Sequence, residues 1–194
     1  MIVNQAVLLA RAPYLVFIDG DCILHHRFLE RHFVRRQKQQ ALSGRRIMMS
    51  AGLTDRVTLD DIRSRRVEKP RYWWSHCSPN DRRNGFYLPW LFAVRNLGRQ
   101  LYPILGSNFS LHRLDFIQVG GYDQRIIGRG LEDDNLCARL CNSGVAIKTI
   151  AQEAVQFHCY HTSDPIPHSA EVIRRFRDCS ESFTEHGISP KDIL

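Results

Sequence analysis

The chain has 194 residues, and 27 Lys+Arg against 20 Asp+Glu leave a formal net charge of +7 with a pI near 9.3. Hydrophobic residues make up 43% and charged residues 24%, a balance that excludes a disordered chain or a fibre and predicts one globular domain over 1–194. No apolar run approaches the ~20 residues of a membrane-spanning helix, and the first residues lack the charged flank and apolar stretch of a secretion signal, so the expectation is a cytoplasmic protein. Six cysteines without a C-x-x-C pair or zinc spacing fit reduced, packed thiols.

Asn4 to Ala12 has helical character, and Pro13 breaks it. Tyr14-Leu-Val-Phe-Ile18 follows as an apolar run without alternation, which suits a strand buried on both faces of a parallel α/β sheet. It ends in Asp19-Gly20-Asp21. His25 to Gln40 reads as an amphipathic helix with Phe28, Leu29, His32 and Phe33 on one face and basic residues on the other. A strand over Arg46 to Ala51 and a short helix over Leu59 to Arg66 come next. Residues 71–103 form an aromatic and basic insertion or acceptor segment, which turn formers at 78–81 and 84–85 make long and partly mobile.

Ile104 to Leu111 reads as a strand interrupted by Gly106, and a helix from Leu114 to Val119 stops at Gly120-Gly121. Leu131-Glu-Asp-Asp-Asn135 puts three acids in the first turn of a helix that runs to Cys141 and ends at Asn142-Ser143-Gly144. Strands over Val145–Ile150 and Ala154–His158, then a helix over Ser169–Glu185, complete an α/β pattern.

The cations come in clumps at 27–38, 45–46, 63–71, 82–83 and 174–177, none within a nucleic-acid-binding motif. Nucleic acid is therefore not an expected partner. Solvated helix faces and an anionic partner, either a membrane surface or a phosphorylated acceptor, both stay open.

Three groups of residues can carry chemistry. Asp19 and Asp21, hinged by Gly20 at the carboxyl end of a strand, can hold a divalent cation against a diphosphate, although Asp and Gly also dominate ordinary turns. Glu132 and Asp133 can divide proton transfer and substrate orientation between them, although the helix dipole favours acids there whatever their role. His158 and His161 can reach one metal if the backbone turns between them, and are equally compatible with ordinary core or surface positions.

The order Tyr-Leu-Val-Phe-Ile-Asp-Gly-Asp-Cys-Ile (14–23), Gly-Ser-Asn-Phe-Ser (106–110), Val-Gly-Gly-Tyr-Asp (119–123), Gly-x-Gly-x-Glu-Asp-Asp (128–134) and His-x-x-His (158–161) resembles the family 2 glycosyltransferases, most closely their galactosyltransferase-type C-terminal region. The resemblance implies a GT-A-like (Rossmann-like) α/β fold, a mixed sheet flanked by helices. It also implies sugar transfer from a nucleotide-sugar, usually a UDP-sugar, with Mn²⁺ or Mg²⁺, to a glycan or lipid-linked acceptor in bacterial surface polysaccharide synthesis. By the same match Asp21, His161 and His158 would hold the metal and Asp19 would contact the nucleoside or the metal's water shell. Gly106 and Asn108 would line the substrate pocket. Glu132 would meet the acceptor, with Asp133 as general base of an inverting displacement. Arg129 stands where relatives often carry an aromatic residue, and a cation there suits an anionic acceptor. The basic clumps add the expectation of peripheral contact with the inner face of a membrane.

Relatives begin with a nucleotide-binding βαβ stretch before the Asp-x-Asp strand, where this sequence has 13 residues before Tyr14. The resemblance therefore implies an N-terminally truncated domain. The alternative is a non-catalytic, truncated binding or scaffold protein. A carboxylate- and metal-dependent phosphotransferase ranks lower, for want of a phosphate-gripping glycine loop with lysine.

Overall fold

The computed structural model describes residues 2–96, 103–127, 131–162, 170–177 and 179–189. Helix α1 (Ile2–Leu9) leads through Pro13 into β1 (Tyr14–Ile18), and a three-residue acidic turn connects β1 to β2 (Cys22–Leu24). Then come α2 (Phe28–Arg35), β3 (Gln40–Ser43), β4 (Ile47–Met48), α3 (Ala51–Thr54) and α4 (Leu59–Arg63). The aromatic stretch holds α5 (Pro70–Trp73) and α6 (Leu91–Arg95), with 3-10 turns at Arg66–Glu68 and Arg82–Gly85. The second half supplies β5 (Asn108–His112), α7 (Arg113–Gln118), α8 (Leu131–Asn142), β6 (Ala146–Thr149), β7 (Gln156–His158) and α9 (Ala170–Arg177).

The strands form two mixed sheets, ordered β1-β5-β3-β6 and β2-β7-β4. β1 pairs antiparallel with β5, from Tyr14 opposite His112 to Ile18 opposite Asn108. This corrects the expectation of a strand in a parallel sheet. β1 lies at the sheet's edge, and its continuous apolar run has another cause: Leu15 and Phe17 pack on the main core, while Val16 packs on a second cluster around Phe28, Leu42 and Ile150. Phe17 stacks on Phe109 with ring centroids 4.2 Å apart. Because both faces meet apolar groups, the period-2 pattern disappears without a parallel neighbour.

Other boundaries also differ. The helix expected over 25–40 shrinks to α2, because 25–27 form a turn after β2 and Gln40 already belongs to β3, a strand whose identity comes from pairing with β5 and β6. The expected strand over 46–51 is β4 followed at once by α3, whose N-cap Ser50 accepts a hydrogen bond from the Leu53 N–H. The aromatic stretch, expected to be loose, packs Trp73 at full burial against Ile47, Leu53 and Phe157. Part of it, 97–102, lies outside the described residues.

α7 ends where expected: Gly120 and Gly121 take φ of +79° and +66°, conformations that cost other residues a Cβ clash. The helix expected to reach Glu185 ends at Arg177. Residues 184–188 instead run across the glycine turn, with Thr184 N–H donating to Val119 O and Ile188 N–H to Gly120 O.

A buried polar network ties the layers together. His32, fully buried on α2, makes contacts of 2.7 Å through Nδ1 to Ser110 Oγ and 3.1 Å through Nε2 to Asn108 Oδ1. Burial pushes its pKa down to about 3, against a smaller opposing effect of the Asn108 bond. The native ring is therefore neutral, and only the unfolded chain takes up a proton between pH 6.5 and about 3. His32 thus contributes its full stabilisation above pH 6.5 and loses it as pH falls, by about 1.4 kcal/mol per pH unit. Urea unfolding followed across that window should show this slope, and His32→Gln should lower overall stability while removing one proton's worth of it.

Candidate active site

The acidic turn owes its position to the crossing from one sheet to the other. Asp19 leaves β1 and Asp21 enters β2, while Cys22 N–H donates to Asp19 O and Cys159 N–H donates to Asp21 O. β7 is the middle strand of its sheet, so His158 lies opposite Cys22 on one side and Met48 on the other. The chain then turns, and His161 comes back over the same spot, its ring centroid 5.2 Å from that of His158.

Ligand atoms of Asp21, His158 and His161 all lie within 4.8 Å of one another. His158 Nε2 is 3.4 Å from Asp21 Oδ1, and His161 Nε2 is 3.4 Å from Asp21 Oδ2. In each ring Nδ1 faces a main-chain carbonyl, Cys159 O at 2.9 Å and Thr162 O at 3.1 Å. A carbonyl only accepts, so we assign a proton to Nδ1 in each ring, which leaves Nε2 as the atom that can ligate. Burial, then the charge of Arg46, holds the His158 pKa below its usual value and favours its neutral form. Both Nε2 atoms face oxygens of the Asp21 carboxylate, and N and O ligand atoms converging at this distance suit a divalent cation. Backbone carbonyls behind the imidazoles are also the usual orienting partners of histidine ligands. The donor set therefore fits a divalent metal.

The cluster of His25, His26 and Glu68 is different. There the Arg27 N–H donates to His25 Nδ1, so the His25 proton sits on Nε2 facing Glu68 Oε2 at 3.5 Å, and His26 Nδ1 donates to the same oxygen at 2.7 Å. Protons already fill that gap.

The Asp21–His158–His161 group borders a cavity of about 780 Å³ whose walls include Asp19, Arg46, Gly106, Ser107, Tyr122, Glu132, Asp133, His158 and His161. Asp133, in the first turn of α8, is clamped from two sides. Its Oδ2 accepts from the Gly106 N–H at 2.8 Å, and its Oδ1 accepts from the Tyr122 hydroxyl at 2.8 Å. A Cβ on residue 106 would lie 2.8 Å from both carboxylate oxygens, so only glycine permits this approach. Burial pushes the Asp133 pKa up to about 6, although both hydrogen bonds pull it down. Glu132 Oε2 is buried without a hydrogen-bond partner among the described residues.

Asp19, Asp21, Glu132, Asp133, Gly106, His158 and His161 are thus brought to one place. Asn108 is not. It is fully buried behind the cavity, donating through Nδ2 to Arg45 O and Ala154 O, each at 2.9 Å, with Oδ1 on His32. Its amide holds the scaffold instead of facing a ligand. Arg129 lies outside the described residues. Three of these wall residues carried no expectation: Arg46, which lies in a basic clump, Ser107, and Tyr122, whose place after two glycines in the 119–123 motif was the available signal.

Residues 96–162, which include Gly106, Glu132, Asp133, His158 and His161, match the family model described as the N-terminal domain of galactosyltransferase. The fold is similar to that in the crystal structure of GalNAc-T7 with UDP, GalNAc and Mn²⁺, with 12% identity and a TM-score of 0.50 over 82% of this chain. The shared architecture is the GT-A-like mixed α/β fold expected from the sequence. The chain spans 30% of the length of that structure's chain, and no curated protein matches it. No helix among the described residues is long and apolar enough to cross a membrane, and none of the six cysteines forms a disulfide.

The clamp on Asp133 is open to a direct check. Tyr122→Phe removes a hydrogen bond that lowers the Asp133 pKa while leaving the burial that raises it. Carboxyl ¹³C titration should find that pKa above 6 in the variant, and a value unchanged or lower would contradict the geometry.

Proposed function

We propose that the chain is the catalytic part of a metal-dependent glycosyltransferase that moves a sugar from a nucleotide-sugar, a UDP-sugar for preference, to a hydroxyl of a glycan or lipid-linked acceptor. The observation that carries this reading is the convergence of Asp21, His158 and His161 at a cavity that Glu132 and Asp133 also line. The family match over 96–162 supports the reaction class. The UDP and Mn²⁺ named for GalNAc-T7 support the donor and the metal.

In this reading Asp21, His158 and His161 hold Mn²⁺ or Mg²⁺, and Asp19, half-exposed beside them, meets the donor or the metal's waters. The cation supplies neutralisation of charge on a departing diphosphate. Asp133 accepts the proton of the attacking hydroxyl. Its pKa near 6 leaves it mostly ionised at neutral pH yet basic enough to take a proton. Gly106 and Tyr122 fix its two oxygens, and Glu132, on the same cavity wall, orients the acceptor. With metal and base as separate groups the displacement is direct and inverts the anomeric centre. Clustered arginines suit the anionic membrane surface at which a lipid-linked acceptor of surface polysaccharide synthesis would be met.

Calorimetric titration with UDP, with and without Mn²⁺, tests the reading. Mn²⁺-dependent binding that disappears in Asp21→Ala is the expected result, together with sugar transfer whose rate rises with pH through about 6 as Asp133 ionises. A folded chain that binds neither UDP nor Mn²⁺ would instead favour a non-catalytic binding protein.

A further inference from the structure

Among the described residues that line the cavity, Arg46 is the one lysine or arginine, set among Asp19, Glu132, Asp133 and Asp134. It precedes β4, and its position is built. Its Nη1 donates to Ser107 Oγ at 3.1 Å, and Ser107, almost fully buried, accepts on the same oxygen from Gln156 Nε2 at 3.1 Å. The Arg46 carbonyl accepts from Asn84 Nδ2 at 3.2 Å. The guanidinium is thus tethered through one nitrogen, and its side chain keeps about a third of its surface open to the cavity.

Its relation to the metal-ligand group is close. Asp19 Oδ2 lies 3.7 Å from Arg46 Nη1 and 3.7 Å from His158 Nε2. The guanidinium and the metal-ligating imidazole therefore flank a single carboxylate oxygen. The Arg46–Asp19 pair is long and half-exposed, so a ligand oxygen displaces it at little cost. A guanidinium fork grips phosphate through two parallel hydrogen bonds, which an aspartate at 3.7 Å does not provide. Two adjoining anionic groups, one for the metal and one for the guanidinium, are what a diphosphate presents and a single phosphate does not.

We infer that Arg46 is a specificity-determining residue that takes the second phosphate of a metal-bound diphosphate, so that the site selects diphosphates over monophosphates. This rests on the metal site proposed above. It assigns to Arg46 a ligand-binding role that its place in the basic pair at 45–46 conceals.

The test uses Mn²⁺ and inorganic diphosphate, which need no nucleoside pocket. The 194-residue chain is titrated with Mn²⁺, and the loaded chain with diphosphate and with orthophosphate. Wild type should prefer diphosphate. Arg46→Gln should keep its Mn²⁺ affinity, lose about tenfold to hundredfold in diphosphate affinity, and bind orthophosphate nearly as before. Should Arg46→Gln not fold, Arg46→Lys carries the same test, because it keeps the charge and loses the fork, and the diphosphate preference should narrow. A wild-type chain that binds no Mn²⁺ overturns the metal site and this inference together. Mn²⁺ binding with no diphosphate preference, or a preference unchanged in the variant that folds, overturns the inference alone. Joint loss of Mn²⁺ and diphosphate affinity in a folded Arg46→Gln assigns the arginine to the scaffold and overturns it as well.

Discussion

The two sheets are held in register by one buried amide. Asn108 begins β5, and its side chain donates to carbonyls of Arg45 and Ala154 while its own carbonyl accepts the Gly44 N–H. Arg45 precedes β4, and Ala154 precedes β7, so this residue of the first sheet fixes the approach of two strands of the second. Such a group in the interior is costly unless every partner is present. Here His32 supplies the last one. The loops that carry Arg46, Gly106 and His158 all run out from this point, and the site inherits its geometry from it.

From that junction the acidic turn follows. β1 must give way to β2 because the two belong to different sheets, and Asp19 and Asp21 occupy the crossing. The candidate metal-ligand group then draws on both halves of the chain, with Asp21 from the first and His158 and His161 from the second. Asp133 is reached from yet another direction, by the main chain at Gly106 and the ring of Tyr122. No segment holds the site alone. That explains why each piece read in isolation looked like an ordinary turn, helix cap or histidine pair.

What was legible in the sequence is what local chemistry dictates. The apolar run ending in Asp-Gly-Asp, the Gly120–Gly121 stop, the acid-led α8 and the histidines closing β7 all announce themselves within a few residues. β2 and β3 did not, because three or four residues such as Gln40–Ser43 become a strand only through neighbours some 70 to 100 residues away. Asn108 was read as facing a ligand because its motif borders the pocket in sequence. It directly follows Ser107, which does line the cavity, but Ser107 belongs to the turn before β5 and Asn108 to the buried strand itself. Arg46 was hidden for the converse reason: only its contact with buried Ser107 separates it from the solvated arginines around it.

β1 is an outer strand, and Ile18 at its end and Ile2 and Leu9 on the adjoining helix are largely exposed. A sheet edge of this kind is adhesive, since its outward amides and carbonyls accept another strand. The same stretch, Leu15 to Ile18, also forms one wall of the cavity. A strand that added to that edge, from a second copy or from another polypeptide, would therefore meet the same residues that wall the pocket.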